Sequence, residues 1–252
     1  MRALGRLVQF AALYAAGLCL LWAAKVALGL SDYLVPPPVE LWSVARADGA
    51  AFTTAVSNTL GVAVLGHVLA VVLATAVGLV GRLASWPGAL TRLAAYNLQA
   101  YPVVALAPLI FLFFGDGLLA RLLITALVCY FPLLLSFIGI FSEPVEAVEH
   151  FYRATGRLDW RLEIRIRTFE NLDKIVTVVV GSGTLAMVGT IIGEFLAAGR
   201  GIGYVIRKAL YQGNLARILV ALFLIGLASS LYLAAVEGVG TAWKRRLRGA
   251  GR

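Results

Sequence analysis

Charged residues are scarce in this chain. Asp, Glu, Lys and Arg make up 14% of its 252 residues, while 61% are hydrophobic. A soluble domain carries roughly 25% charged residues, so a water-facing globular fold is excluded and the chain reads as an integral membrane protein. In lipid each spanning segment must satisfy its own backbone, which leaves bundled helices or a closed barrel; apolar runs of this length point to helices and an all-α fold. Cysteine is nearly absent. Cys19 and Cys129 both lie in apolar runs with no C-x-x-C spacing or His-rich neighbourhood, and they read as small core residues. The phosphate-binding pattern G-x-x-x-x-G-K-[ST] is missing, so this chain does not itself harvest ATP. No nucleophile, base and oxyanion donors converge on one face, which argues against an enzyme; no cofactor and no metal is expected.

What charge there is carries a sign. The net charge is +9, but the basic residues are not arranged as an aromatic-interleaved groove, so no nucleic acid partner is expected. Arg2 and Arg6 precede the first apolar run, Arg82 and Arg92 flank a later break, and Lys244, Arg245, Arg246, Arg248 and Arg252 close the chain. With the N-terminus inside, these and the basic residues of the central loop fall on one face, as the positive-inside bias requires; both termini are then cytoplasmic.

One polar interruption stands out, Ser142 to Lys174. It holds Arg153, Arg157, Arg161, Arg165 and Arg167 among Glu143, Glu146, Glu149, Asp159, Glu163 and Glu170. At roughly 2.5–3.5 kcal/mol per charge at a span's centre it belongs in water. Phe151, Tyr152, Leu158, Trp160, Leu162, Ile164 and Ile166 are too many apolar residues for a bare linker, so something packs there. Gly156 suits the left-handed residue that ends one helix, Asp159 the cap that begins the next, with Glu163 near that N-terminus; the spacing predicts helix, turn, helix. The alternation from Leu158 to Arg167 also fits a strand, but a lone strand would leave its backbone unpaired.

Six spans are expected, at about 7–30, 56–81, 89–114, 118–141, 174–198 and 215–243, in a single domain covering 1–252 with the polar loop at 142–173. The first is too long for a signal peptide and reads as a retained anchor. Pro36 to Pro38 fix an extended link, and Leu41 to Ala55 reads as a short amphipathic outer element. His67 lies mid-span, either satisfied by a neighbouring helix or on a solute path. Gly61, Gly66 and Gly78 allow close helix approach. Pro102 and Pro108 should kink the third span. The fifth is rich in small residues, among them Gly181, Ser182, Gly183, Gly189, Thr190 and Gly193, which suits either a moving interface or a buried helix. GEFLAAGRGIGYVI follows; its G-R-G-I-G lacks the preceding strand of a dinucleotide site. Arg200, Arg207, Lys208 and Arg217 form a basic cluster beyond it, to meet an anionic solute, an acidic patch on a delivery protein, or only solvent.

Three stretches together resemble the permeases of ABC importers, and within them the sulfonate, nitrate and taurine group. In the polar loop, Gly156, Trp160, Leu162, Arg165, Ile166, Leu172 and Ile175 are in register with the family's E-A-A-x-x-x-G pattern, although His150, Phe151 and Tyr152 stand in place of E-A-A, Thr168 and Phe169 in place of L-P, and Asp173 in place of a second proline. Pro102, Ala105, Pro108, Leu109, Phe114 and Gly115 match a P-x-x-A-x-x-P-L-x-x-x-x-F-G segment, and Glu194, Gly201, Gly203 and Tyr204 match E-x-x-x-x-x-x-G-x-G-Y.

The resemblance implies six transmembrane helices of the type I ABC importer permease (MetI-like) fold, with a cytoplasmic coupling-helix loop between the fourth and fifth. It implies a bacterial plasma (inner) membrane location, a dimer with a second copy or a paralogous permease, an ATP-binding cassette ATPase subunit below and an extracytoplasmic solute-binding protein above. The loop residues Arg153, Ala154, Gly156, Trp160, Leu162 and Arg165 would engage the ATPase; His67, Pro102, Pro108, Ser182, Thr190 and Glu194 are the residues considered for the solute path. The solute would be a small nutrient such as a sulfonate, nitrate, taurine or vitamin precursor. The rival reading is an ATP-independent secondary transporter or channel, which would favour mid-membrane charge pairs or inverted repeats.

Overall fold

The computed structural model describes residues 2–99 and 102–249, and every regular element among them is an α-helix. They are α1 (Arg2–Leu28), α2 (Pro38–Ala47), α3 (Gly49–Gly81), α4 (Trp86–Gln99), α5 (Val103–Phe114), α6 (Leu118–Ser142), α7 (Glu146–Ala154), α8 (Trp160–Glu170), α9 (Leu172–Leu196), α10 (Ile202–Tyr211) and α11 (Leu215–Gly249). Among the described residues, five stretches are long and apolar enough to cross a membrane: Leu7–Leu28, Gly49–Gly81, Leu118–Ser142, Leu172–Leu196 and Leu215–Leu247.

The expected third span, 89–114, is not one kinked helix. It is divided into α4 and α5, with Pro102 standing just ahead of α5 in an extended conformation (φ −70°, ψ 93°). Proline offers no N–H to a preceding turn, in keeping with an extended Pro102 that opens a separate helix. At 1.5 Å per residue the 12 residues of α5 reach about 18 Å, short of a ~30 Å hydrocarbon core. Pro108 does lie inside α5, as expected. The stretch 41–55 also differs: α2 ends at Ala47, Asp48 is the whole break, and α3 starts at Gly49, seven residues before the expected start of the second span. Pro38 opens α2, where its missing N–H would have had no partner anyway.

Helices α3, α6 and α9 form the centre. Their closeness rests on small residues: a Cβ at Gly66 would stand 2.6 Å from Thr125 Cγ2, and one at Gly189 would stand 2.9 Å from Val128 Cβ. Leu133, Phe137 and Phe141 of α6 fill one core with Ala70, Ala74 and Ala186, while Phe52, Met187, Ile202 and Ile225 tie α3 and α9 to α10 and α11. Gly61, by contrast, meets nothing.

Helix α1 lies against α11. Tyr14 Oη donates to the Leu219 carbonyl (2.6 Å), and Phe10 stacks on Phe223 with centroids 6.0 Å apart. A Cβ at Gly226 would strike the Phe10 ring, so the two helices run antiparallel. Lys244, near the end of α11, pairs with Asp173 at the start of α9. The beginning of α1 and the end of α11 therefore share the end of the bundle that carries α7 and α8.

Helix α7 closes as the sequence predicts. Gly156 has φ +68°, its N–H donates to the Arg153 carbonyl (3.1 Å), and the Arg157 N–H reaches back to the Tyr152 carbonyl (2.9 Å). Asp159 caps α8, accepting from the Leu162 N–H at 2.7 Å, with Glu163 in the first turn.

Candidate functional site

Two clusters of buried charge lie at opposite ends of the central helices. At the loop end, Glu149 of α7 is 2% exposed. Arg167 of α8 grips it with a fork, Nε to Oε1 at 2.7 Å and Nη2 to Oε2 at 3.0 Å, and donates from Nη1 to the Phe141 carbonyl of α6 at 2.7 Å. Glu149 Oε1 also accepts the Val145 N–H (3.1 Å). Arg167 meets Glu163 at 2.7 Å, and Glu163 meets Arg82, just past the end of α3, at 3.1 Å. The Arg167 hydrogen bond outweighs burial and holds the Glu149 carboxyl below its ordinary range, while Glu149 raises the Arg167 guanidinium. The helix–turn–helix is thus tied through charged side chains to two central helices.

Most of the loop residues singled out from sequence form the outer surface of this hairpin. Arg153, Ala154, Gly156, Trp160 and Arg165 are exposed and Leu162 is half-buried; Arg161 stacks over the Trp160 ring at 5.3 Å. Phe151 is exposed beside them. The braces beneath were missed. Glu149, Glu163 and Arg167 read as ordinary loop charges because their partners lie across a turn or on another helix. His150, at the place of the family pattern's glutamate, is exposed; the buried carboxylate belongs to the preceding residue.

At the opposite end, Glu194 of α9 is fully buried. Thr59 of α3 donates to its Oε2 at 2.7 Å, as does the Gly203 N–H of α10 at 3.1 Å, and Thr59 Oγ1 accepts the Ile202 N–H at 2.8 Å. A carboxylate at a helix N-terminus satisfies donors that have no intrahelical partner. The glycines of the E-x-x-x-x-x-x-G-x-G-Y segment permit this: Gly201 has φ +92° and a Cβ there would enter the Glu194 carboxylate, while one at Gly203 would stand 2.7 Å from Glu194 Cβ. Arg121 of α6 faces Glu194 with Nη1 at 3.7 Å from Oε1. That is an ion pair without a hydrogen bond. Sequence reasoning passed over Arg121 and Thr59; a lone arginine in an apolar run is the signal that could have found the first.

The other residues considered for a path divide. His67 and Ser182 meet, Nε2 to Oγ at 2.8 Å, and His67 Nδ1 meets the Tyr232 hydroxyl. Both ring nitrogens are thereby engaged, the arrangement of a satisfied core histidine. Thr190 bonds Thr125 at 2.8 Å, one turn from Glu194. Pro102, just ahead of α5, and Pro108 within it are exposed and touch neither cluster. Two members of the basic cluster also have structural work: Arg207 donates to the Phe195 and Ala198 carbonyls (3.0 and 2.8 Å), and Arg217 pairs with Asp48 at 3.1 Å.

A bundle of long apolar helices with a braced polar hairpin at one end has the character of a membrane transport subunit. A family model described as the binding-protein-dependent transport system inner membrane component matches residues 66–249. The chain belongs to this family and is a permease of the ABC importer type. It is 27% identical over 238 residues to the formylaminopyrimidine transport permease protein ThiX of Halalkalibacterium halodurans, covering 91% of this chain and 93% of that one. It is 36% identical over 139 residues to the riboflavin transport system permease protein RibX of Chloroflexus aurantiacus, covering 54% of this chain and 52% of the relative. A probable ABC transporter permease protein of Haemophilus influenzae is 28% identical over 112 residues, 44% of this chain and 45% of that one.

Proposed function

We propose that this chain is one of two membrane subunits of an ATP-driven importer, sits in a bacterial inner membrane with both termini in the cytoplasm, and passes a small nutrient handed over by an extracytoplasmic binding protein. The names of its relatives favour the vitamin-precursor side of the expected range over nitrate or sulfonates. The α7–α8 hairpin docks on a separate ATPase subunit through Arg153, Ala154, Gly156, Trp160, Leu162 and Arg165. The observation that carries this reading is the brace beneath that surface: Arg167 on the Phe141 carbonyl, and Glu163 on Arg82, link the hairpin to the inner ends of α6 and α3. A push on Trp160 is then delivered to the two helices whose packing defines the centre. Coupling of this kind is the differential affinity of the ATPase for two states of the permease.

His150, Phe151 and Tyr152 in place of E-A-A mean either an ATPase cleft of matching shape or a partner permease that carries the acidic motif. Co-purification of tagged with untagged chain decides between these: self-association with no second permease present rules out the mixed dimer. The reading as a whole is tested by uptake into vesicles holding this chain, its ATPase and its binding protein. Uptake should require ATP on the hairpin side, and Gly156→Pro should abolish it while the chain stays inserted, because proline cannot adopt the positive φ of that turn. Solute movement without nucleotide hydrolysis would overturn it.

A further inference from the structure

A cleft of about 470 Å³ opens between α3 and α6 at the end of the bundle away from the hairpin, lined in part by Thr53, Thr54, Ser57, Asn58, Gly61 and Arg121. Most of the exposed surface of α3 further along is apolar, Val64, Leu65, Val68 and Val72 among it, so this polar stretch is local. Arg121 is the unusual member. Its side chain is 8% exposed, yet Nε and Nη1 are buried without a hydrogen-bond partner among the described residues. Glu194 Oε1, 3.7 Å away, has none either. Buried polar groups are nearly always satisfied, and a guanidinium offers five donors in a fixed fork; with Nε and Nη1 closed off, Nη1 towards Glu194, Nη2 is the nitrogen this arginine holds ready at the wall of the cleft for an acceptor from outside the chain.

We propose that this cleft is a solute-contact site and that it takes a neutral heterocycle presenting hydrogen-bond acceptors, ring nitrogen or ring carbonyl, along one edge. The proposal deepens the permease reading and rests on it. Three features select that chemistry. Glu194 already balances the charge of Arg121, so a full oxyanion would leave the buried pair net negative in a medium of low dielectric, whereas a neutral acceptor adds hydrogen bonds at no such cost. Asn58 donates to the Thr54 carbonyl through Nδ2, which leaves its Oδ1 as an acceptor beside the Arg121 donors, and Ser57 serves as either. A donor from Arg121 and an acceptor from Asn58 lining one cleft suit a ring edge that carries a donor beside its acceptors, as a pyrimidine-type ring does. Gly61, with nothing within 4 Å of a Cβ position, leaves the floor flat enough for a ring. The His67–Ser182 pair deeper in the bundle offers no comparable site, because both nitrogens of His67 are taken.

The test uses the full chain in nanodiscs of zwitterionic lipid, carrying Ser57→Cys with Cys19→Ser so that Cys129, which is buried, is the other thiol. The readout is the rate at which the introduced thiol is alkylated in the presence of riboflavin, cytosine, nitrate or methanesulfonate at millimolar concentration. We expect a neutral heterocycle to slow alkylation about tenfold or more and the anions to leave it unchanged, a tenfold slowing meaning that the ligand is present at roughly nine times its Kd. Arg121→Met should remove the protection, and Asn58→Leu, which leaves the ion pair intact, should weaken it; monodisperse elution and a cooperative melt well above the assay temperature exclude misfolding as the cause. Protection by nitrate or methanesulfonate would overturn the neutral class. Slow alkylation only in phosphatidylglycerol discs would make the cleft a lipid headgroup site. No protection by any probe, or protection indifferent to Arg121→Met, would overturn the proposal itself. Because the assay needs neither ATP nor transport, a failure of ATP-coupled uptake alongside positive protection would remove the permease mechanism and leave the cleft standing.

Discussion

The two buried charge clusters use the same residue types to opposite ends. Around Glu149 and Arg167 both carboxylate oxygens and all three guanidinium nitrogens are bonded, and the contacts join four separate elements, α7, α8, α6 and the end of α3. Around Arg121 the guanidinium makes no hydrogen bond to any described residue, and Glu194 Oε1 meets only its charge, at 3.7 Å. Arg82, at the edge of the first cluster, keeps a buried Nε without a hydrogen-bond partner among the described residues, so the saturation is that of the Glu149–Arg167 centre. There no member moves without breaking a bond, whereas an unsaturated pair retains capacity for something new. The proposed division, force transfer at one end and solute contact at the other, rests on that contrast.

Arg167→Ala breaks the saturated network and should produce the largest effect, since it strands a buried carboxylate: about 3–5 kcal/mol, read as a lowered Tm and lost hydrogen-exchange protection across α7 and α8. Replacing both partners, Glu149→Leu with Arg167→Met, should recover most of that stability and none of the coupled uptake. The comparison sharpens if Arg121→Met costs roughly half as much or less, there being no hydrogen bond to lose. Gly201→Ala comes next, because it forces a side chain into a left-handed backbone and into Glu194; a cost of ~1–3 kcal/mol in Tm is expected, confined to the α9–α10 junction.

Acid gives a smaller and more local effect. The Glu149 carboxyl lies below its ordinary value of 4.5 in the folded chain, so its contribution is full above that value and is lost as pH falls through the depressed one. Hydrogen exchange should show α7–α8 loosening below about pH 4.5, and Glu149→Gln should abolish that dependence. The smallest change expected is from Arg207→Gln, which gives up two carbonyl caps at a half-exposed site, about 1 kcal/mol by thermal melt.

What could be read from sequence follows the range of the forces involved. The hairpin was legible because Gly156 and Asp159 act on their own neighbours; the Glu194–Gly201–Gly203 segment stood out by its resemblance to a family pattern, and the fit of the carboxylate against the glycines emerged only in the structure. The brace was not: Glu149 and Arg167 are 18 residues apart, and Arg82 and Glu163 meet only when α3 and α8 are in place. Arg121 was hidden by its surroundings, a single charge among leucines whose partner lies on another helix. The division of the third span at Pro102 turned on whether a proline kinks or ends a helix, which depends on neighbours to supply the freed carbonyls.

The central claim is that the hairpin receives work from a separate nucleotide-hydrolysing subunit. A photoreactive residue in place of Trp160, irradiated in native membranes, tests it without knowledge of the solute. The account predicts one dominant crosslink, to a protein that carries the phosphate-binding motif this chain lacks, and no such product from a control position on the exposed face of α1. Correctly inserted chain whose position 160 crosslinks only to an extracytoplasmic protein, or only to lipid, would contradict it.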